Sequence, residues 1–327
     1  LARDRLGEKP LYYGWAGVDG RASGPDVPGG VFLFGSELKA LVAHPDFRAE
    51  IDPDALHLFL RHCCIPAPHC VWRGVKKLPP GHLLTLDLAG PDRSASMGQP
   101  EPYWSLAATL DLPPLTFADE TEAADALHDL LSRAVGQQMV ADVPLGAFLS
   151  GGVDSSTIVA LMQARSARPV RTYTIGFWEP EFDETASARE VARRLGTEHT
   201  ELTATPEEAL ALIPRLPEVW DEPFADPSQI PTLLLARLTR QHVTVSLSGD
   251  GGDELLAGYT RYFWCRDLWR RTSHLPLAGR RWLARLLTLP SPWLWDALLR
   301  PVKSLGLTPL FTGDRLHKLA EVVAHPN

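Results

Sequence analysis

Long hydrophobic runs, cysteines and excess positive charge are all scarce in this sequence of 327 residues. No apolar stretch reaches the length of about 18 residues typical of a transmembrane helix, so no membrane span is expected. Lys and Arg number 32 against 40 for Asp and Glu, and this acidic balance argues against a non-specific binder of nucleic acid or anionic membranes. Four cysteines are too few for a disulfide framework, which favours a reducing, cytoplasmic compartment.

An initial methionine and a signal-peptide pattern are also missing, because the chain begins with Leu1. Such a start is expected of a segment cut from a longer protein. The hydrophobic fraction of 45% is ordinary for a protein that buries a full core. A chain of this length is expected to contain about two domains.

Three of the cysteines, Cys63, Cys64 and Cys70, are crowded into residues 62–70 together with two histidines. Cysteine and histidine are natural zinc ligands. Their spacing here matches neither a Cys-x-x-Cys pair nor the usual histidine pair of a zinc site. Buried or incidental thiols are therefore favoured over a metal site.

The chain up to Trp104 predicts short strands and helices joined by turns rich in glycine and proline. Strands are predicted at residues 11–14, 31–34 and 83–88, helices at 37–44 and 54–62, a turn-rich segment at 20–30 and a loop or linker at 90–102. Either Asp52 or Asp54 is expected to cap the second helix.

After Trp104 strand patterns alternate with helix patterns. Apolar residues from Leu127 to Val135 recur at helical spacing, which predicts an amphipathic helix. Further strands are predicted at residues 145–149, 170–177, 199–202 and 243–247, and helices at 155–165, 184–195, 206–216 and 231–242, with Gly196 ending the second of these. This alternation predicts an α/β fold with a doubly wound parallel sheet, in which ligands bind at the carboxyl ends of the strands.

Beyond Tyr262 the sequence is aromatic and basic, and prolines interrupt its helical spacing. Helices packed on the sheet with their arginines in solvent are favoured over a binding patch.

A loop rich in glycine and serine follows the predicted strand at 145–149. Its residues are Ser150, Gly151, Gly152, Val153, Asp154, Ser155 and Ser156. Adjacent glycines let the backbone approach an anion, the following helix directs N–H groups towards it, and the serine hydroxyls add donors. The loop therefore predicts a phosphate site, and it is not a Walker A loop because Gly-Lys-Ser/Thr is absent.

Asp154 indicates which kind of phosphate site this is. A carboxylate beside a polyphosphate is repelled unless a cation lies between them, so Mg²⁺ is expected to bridge the two. In the alternative interpretation the segment is a plain strand-to-helix turn whose Asp and Ser only cap the helix. The complete seven-residue pattern disfavours that alternative.

A second loop, acidic and rich in glycine, follows the predicted strand at 243–247 and is expected at the same edge of the sheet. Its residues are Ser248, Gly249, Asp250, Gly251, Gly252, Asp253 and Glu254. Carboxylates this close are costly to cluster without a cation or a cationic substrate. Asp253 is therefore a second candidate Mg²⁺ ligand, and Asp250 and Glu254 are the candidate catalytic residues, with Asp250 suited to hold a substrate amine or to assist proton transfer.

The first loop resembles the Ser-Gly-Gly-x-Asp-Ser signature of the PP-loop ATP pyrophosphatases, which are Rossmann-like enzymes that adenylate a substrate. Both loops together resemble the glutamine-hydrolysing asparagine synthetase family. Stretches at residues 143–152, 172–177, 195–199, 221–228 and 248–259 carry the resemblance, and residues 3–13, 35–41 and 78–82 resemble the last part of that family's antiparallel α+β glutaminase domain. The resemblance extends from residue 1 to about Tyr262.

This resemblance implies two regions, the C-terminal part of a glutaminase domain at residues 1–104 and an ATP pyrophosphatase domain, incomplete at its C-terminus, at residues 105–327. It implies a ligase that converts aspartate to asparagine through an aspartyl-adenylate, with ATP, Mg²⁺ and ammonia from glutamine. Pyrophosphate would bind at residues 150–156, and Asp154 and Asp253 would hold Mg²⁺. The implied nucleoside contacts are Leu149, Ile175, Ser248 and Gly249.

The sequence departs from the family pattern at both ends. The family's glutaminase nucleophile is an N-terminal cysteine, whereas residue 1 here is Leu. The family's Lys-x-Asp-Arg-x-Ser-Met stretch does not occur, and Lys303 and Lys318 lie in other contexts. These residues alone are therefore expected to bind ATP-Mg²⁺ without completing the reaction.

Three alternatives stay open at this point. A related enzyme that amidates another carboxylate, such as a β-lactam synthetase or a peptide- or sugar-modifying amidotransferase, would share both loops. A tRNA-modifying PP-loop enzyme is disfavoured by the acidic balance. A degenerate nucleotide-binding module is disfavoured by the intact loops. Small-molecule substrates are expected, without nucleic acid or membrane, and a homodimer is left open.

Overall fold

The computed structural model describes residues 1–17, 30–87, 96–176, 183–299 and 312–324. These residues form two compact units, Leu1–Gly152 with Ile158–Ser248, and Val153–Thr157 with Gly249–Asn327. The predicted turn at 20–30, apart from Gly30, lies outside the described residues, as do Phe177 and Lys303.

The first unit begins with a three-stranded antiparallel sheet. Strand β1 (Tyr12–Ala16) pairs with β2 (Val31–Gly35) on one side and with β3 (Val75–Lys77) on the other. Helices α1 (Leu38–Val42) and α2 (Pro53–His62) follow β2. The predictions for β1, β2, α1 and α2 are confirmed apart from their exact ends, whereas β3 was not predicted. Their buried core consists of Tyr12, Leu38, Leu41, Ala55, Ile65, Cys70, Val71 and Val75.

The capping choice is resolved in favour of Asp52. Its carboxylate accepts hydrogen bonds from the N–H groups of Asp54 and Ala55 at 2.9 and 3.5 Å. An acceptor at this position satisfies amides that the helix itself cannot pair.

Two predictions on the following segment are wrong in part. The strand at 83–88 is divided into β4 (His82–Leu83) and β5 (Leu86–Asp87), with Leu88 outside the described residues. Residues 90–95 of the predicted loop at 90–102 lie outside the described residues, and the rest contributes β6 (Ser96–Met97) and β7 (Glu101–Pro102), which pair with β5 and β4. Two-residue ladders carry no hydrophobic period, so the pattern could not reveal them.

The rest of the first unit is built on a four-stranded parallel sheet in the order β10-β9-β8-β11. Its strands are β8 (Leu145–Phe148), β9 (Arg171–Gly176), β10 (Glu198–Thr203) and β11 (Val245–Leu247). The accompanying helices are α3 (Leu106–Leu110), α4 (Glu120–Gln138), α5 (Val153–Arg165), α6 (Thr185–Leu195), α7 (Pro206–Leu212), α8 (Leu216–Val219) and α9 (Gln229–Thr239), of which α5 begins in the second unit. The protein is thus a mixed α/β protein with a parallel sheet, as the sequence predicts.

The helix predicted at 206–216 is not continuous. A 3₁₀ turn at Ile213–Arg215 separates α7 from α8. Pro214 and Pro217 lack the N–H that an uninterrupted helix requires, which explains the break. In α4, by contrast, the helix is longer than predicted, and Leu127 and Leu130 are 40% and 52% exposed rather than buried.

The second unit is helical where it is described. Its helices are α10 (Gly252–Leu256), α11 (Thr260–Thr272), α12 (Leu277–Thr288), α13 (Pro292–Leu298) and α14 (Gly313–Ala324). The expectation that the arginines lie in solvent is wrong for Arg280, which is 7% exposed with its guanidinium 4.8 Å from the centre of the Trp269 ring. The aromatic face attracts the cation and offsets part of its desolvation. Of the helices in the described ranges, none is both long and apolar enough to cross a bilayer.

Candidate nucleotide-binding site

The first predicted loop leaves the sheet directly after β8. Leu149 is 1% exposed in the core, and its N–H donates to the carbonyl of Tyr173 at 2.9 Å. Gly151 has φ +81°, and a Cβ there would lie 2.7 Å from the backbone nitrogen of Ala188. Both the backbone conformation and the lack of space therefore require glycine at this position.

Helix α5 begins at this loop without a side-chain cap. Its N-cap residue is Gly152, whose N–H donates to Ser150 Oγ at 3.3 Å. The alternative in which Asp154 and Ser155 only cap the helix is therefore not supported. A helix that begins after glycines in this way is suited to an anionic ligand, because its first N–H groups and its positive dipole end face the loop.

The second loop contacts the start of α5 within the second unit. A Cβ on Gly249 would lie 2.6 Å from the Ser155 nitrogen, and a Cβ on Gly252 would lie 2.5 Å from Asp154 Oδ2. Glycine thus lets the backbone of the second loop rest on residues 154 and 155. Residues of the two motifs therefore contact each other, although 94 positions separate Ser155 from Gly249 in the chain.

Short helix α10 carries two acidic residues of the second loop, Asp253 and Glu254, whereas Asp250 precedes it. It follows Gly251, which has φ +89°, and the Gly258 N–H donates to the Asp253 carbonyl at 3.0 Å, where an added Cβ on Gly258 would overlap the Asp253 carboxylate. The Tyr259 hydroxyl donates to Glu254 Oε1 at 2.8 Å, and the Arg261 guanidinium lies 4.5 Å from the centre of the Tyr259 ring. The hydrogen bond to the Glu254 carboxylate raises the pKa of Tyr259, which keeps the hydroxyl protonated as a donor. The sequence reasoning did not single out Tyr259, because only the end of α10 brings it back to Glu254.

Two of the candidate nucleoside contacts, Leu149 and Ile175, belong to different hydrophobic clusters. Leu149 packs in the core around Val159 and Met162, whereas Ile175 packs with Ala204 and Leu234. Leu149 is nearly inaccessible, so only its backbone is available to a ligand.

The hydroxyl oxygen of Ser156 is buried without a hydrogen-bond partner among the described residues. Leaving a buried hydroxyl unpaired is unfavourable. Such a position is typical of a site where a ligand completes the hydrogen bonds.

The described ranges contain no group of three or more His, Cys, Asp or Glu side chains arranged to hold a metal. Cys63 and Cys64 are exposed and Cys70 is buried. Burial, together with the Glu222 carboxylate, raises the pKa of the Cys70 thiol to about 12. Asp154 and Asp253 stay predicted Mg²⁺ ligands, and their carboxylates are of the type that would hold this ion together with phosphate oxygens and water.

Comparison with known proteins identifies the family. Residues 126–322 match the family described as asparagine synthase, and residues 1–104 match a glutamine amidotransferase domain. The chain belongs to the asparagine synthase family.

Several curated relatives extend this finding. A putative glutamine-hydrolysing asparagine synthetase 2 of Methanocaldococcus jannaschii is 35% identical over 261 residues, covering 79% of this chain and 46% of that protein. Glutamine-hydrolysing asparagine synthetase 1 of Bacillus subtilis is 35% identical over 263 residues, covering 80% of this chain and 37% of that protein. The amidase chyE of Penicillium rubens is 29% identical over 280 residues, covering 80% of this chain and 38% of that protein. The chain therefore spans less than half the length of these relatives.

Proposed function

We propose that the protein catalyses the ATP-dependent amidation of aspartate to asparagine, with ammonia supplied from glutamine. The observation that carries the proposal is the seating of Gly249 and Gly252 on Asp154 and Ser155. This contact joins a phosphate-binding type of loop to the acidic loop. Relatives named glutamine-hydrolysing asparagine synthetase support the same reaction.

In the proposed reaction an oxygen of the aspartate side-chain carboxylate attacks the α-phosphorus of ATP, and pyrophosphate leaves. Ammonia then attacks the acyl carbon of the aspartyl-adenylate, and AMP and a proton leave. Adenylation is needed because an unmodified carboxylate oxygen is a poor leaving group. Residues 150–156 bind the pyrophosphate, and Asp250 and Glu254 orient the amine or accept the proton.

Asp154 and Asp253 are proposed to hold Mg²⁺, which would supply positive charge beside the departing pyrophosphate. The nucleoside is proposed to lie against the backbone of Leu149 and against Ile175, Ser248 and Gly249. The parallel order of β8, β9 and β10 with α5 and α6 between them is consistent with a doubly wound PP-loop arrangement. We propose the division into an amidotransferase region at 1–104 and a synthetase region at 105–327 on the same basis.

The central test measures ATP binding by calorimetry with and without Mg²⁺, in the wild type and in Asp154→Asn. The variant is expected to lose the Mg²⁺-dependent part of the affinity, about tenfold or more, because the bridging carboxylate is gone. Asp129→Asn is the matched control, since Asp129 is 78% exposed on α4. ATP binding that ignored Mg²⁺ in the wild type would instead support a degenerate nucleotide-binding module.

A second candidate function is the amidation of a different carboxylate. The similarity to a relative named amidase chyE favours keeping it. ATP–pyrophosphate exchange in the intact protein, with aspartate compared against other carboxylic acids, separates the two candidates. Exchange that depends on aspartate supports asparagine synthesis, and exchange that depends on another acid supports the second candidate.

A further inference from the structure

Two adjacent acidic residues of the first unit, Asp221 and Glu222, are nearly buried. Their side chains are 12% and 10% exposed. They follow α8 inside the region that matches asparagine synthase, yet their hydrogen-bond and ion-pair partners lie within residues 1–104. Burying a carboxylate is costly unless it is paired and hydrogen-bonded.

Glu222 is enclosed by donors from the N-terminal region. The Val71 N–H donates to Oε1 at 2.8 Å, and the ammonium group of Lys77 forms an ion pair with Oε2. The Tyr12 hydroxyl faces the same oxygen at 3.5 Å. Lys77 is itself only 13% exposed, and it also donates to the Ile65 carbonyl at 2.5 Å. Backbone hydrogen bonds therefore hold both members of the ion pair, with Val71 bonded to Glu222 and Ile65 bonded to Lys77.

Asp221 makes a parallel set of contacts. The Leu38 N–H donates to Oδ2 at 2.6 Å, and Lys39 Nζ lies 3.2 Å from Oδ1. Leu38 is the first residue of α1, and the N-cap residue Glu37 provides no side-chain cap. A carboxylate from a distant part of the chain thus satisfies a helix amide that would otherwise lack an intrahelical partner.

We propose that Asp221 and Glu222 form an acidic latch that fixes residues 1–104 to the sheet-bearing region and couples nitrogen release from glutamine to its use in amidation. The inference rests on the proposed function. The backbone bond from the Ala225 N–H to the Cys63 carbonyl, 2.8 Å long, adds an attachment point just beyond the latch. Removing one partner of the Glu222–Lys77 pair leaves the other as an uncompensated buried charge, so the latch is sensitive to single substitutions.

The experiment compares Glu222→Gln, Lys77→Met and the double variant in the intact protein. Amide hydrogen exchange at Val71 and Leu38 is expected to accelerate about tenfold in each single variant and to return towards the wild type in the double variant, which contains no unpaired charge. With glutamine as nitrogen source, the glutamate formed per amidated product is expected to rise about twofold or more in the single variants. Product formation from an ammonium salt is expected to stay near the wild-type rate.

Glu50→Gln is the matched control, because Glu50 pairs with Arg73 where both side chains are more than 60% exposed. It is expected to change neither readout. Unchanged exchange at Val71 in both single variants would overturn the latch itself. Faster exchange with an unchanged ratio of glutamate to product would reduce the latch to a purely structural contact and overturn the coupling. If the wild type released neither AMP nor pyrophosphate with ammonium, the proposed function and the coupling would both be refuted. The latch would still be tested separately by the amide hydrogen exchange rates.

Discussion

Gly249 lies so close to the backbone of Ser155 that a methyl group on its α-carbon would be 2.6 Å from the Ser155 nitrogen and 2.9 Å from the Asp154 carbonyl carbon. Both neighbours are main-chain atoms, so no change of rotamer can relieve the overlap. The contact makes the position of the second loop dependent on the first turn of α5. Substitutions at this point therefore report directly on the candidate site.

Gly249→Ala is expected to displace residues 154 and 155 and to weaken ATP-Mg²⁺ binding by about tenfold or more, because small misplacements at a binding site cost affinity. Isothermal titration calorimetry measures the effect. Gly279→Ala is the control, since a Cβ there meets nothing within 4 Å and lies inside α12. The control should raise the free energy of unfolding by about 1 kcal/mol and leave ATP binding unchanged. Equal ATP affinity in the two variants would contradict the role given to the Gly249–Ser155 contact.

Tyr259→Phe tests whether Glu254 needs to be held in place. The variant loses the 2.8 Å hydrogen bond to Glu254 Oε1. A bond of this kind contributes about 0.5–1.5 kcal/mol, so kcat is expected to fall roughly two- to tenfold. KM for ATP should change little, because the hydroxyl is bonded to Glu254. Tyr262→Phe is a suitable comparison, as its ring packs 5.8 Å from that of Tyr259. A kcat equal to that of the wild type would remove Tyr259 as a positioning residue.

Gly151 and Gly196 both have positive φ angles, +81° and +70°, but only Gly151 is crowded by backbone atoms. Gly196→Ala is expected to lower the free energy of unfolding by about 1 kcal/mol, through backbone strain alone. Gly151→Ala also places a methyl group 2.7 Å from the Ala188 nitrogen, so the free energy of unfolding should fall distinctly more in this variant. Urea unfolding of both variants measures the difference. Equal losses would mean that the loop yields to the added methyl group.

His199 predicts a pH-dependent stability. Its Nδ1 lies 2.9 Å from Thr172 Oγ1, and its Nε2 is buried without a partner among the described residues. Burial lowers the pKa of His199 in the folded protein. The unfolded chain, with an ordinary histidine pKa of about 6.5, therefore takes up the proton first as the pH falls.

The contribution of His199 to the free energy of unfolding should therefore be fully present above the unfolded-state pKa. It should be lost as the pH falls towards the lowered pKa of the folded protein. Urea unfolding over a pH series is expected to show a shallower decline for His199→Gln than for the wild type. His128→Gln serves as the control, because His128 is 65% exposed. Identical pH profiles for His199→Gln and the wild type would be inconsistent with a buried neutral imidazole.

Features that depend on local sequence were predictable. The strands of the parallel sheet carry apolar runs, and the helix ending at Leu195 is followed by Gly196 in the left-handed conformation, as its position suggests. The two loops were also predictable. Glycines and serines after a strand are typical of anion binding, and clustered carboxylates are typical of cation binding. The assignment of individual ligand contacts stays a prediction.

Features that depend on distant partners were not predictable. Glu222 meets Val71 over 151 positions of the chain, and neither residue is unusual in its own segment. Arg280 lies in a basic stretch whose composition predicts solvated arginines, and only the fold brings its guanidinium over the Trp269 ring. Hydrophobic periodicity records which face is buried, but it contains no information about pairs of charges.

The bond between Asp221 and the Leu38 amide has a consequence for biosynthesis. These residues are 183 positions apart, so the acceptor for the first amide of α1 leaves the ribosome long after the helix itself. At translation rates of about 5–20 residues per second, the interval is roughly 10 to 40 s. During that time the Leu38 amide lacks its Asp221 acceptor. The N-terminal region can therefore form this hydrogen bond only after residue 221 has been synthesised.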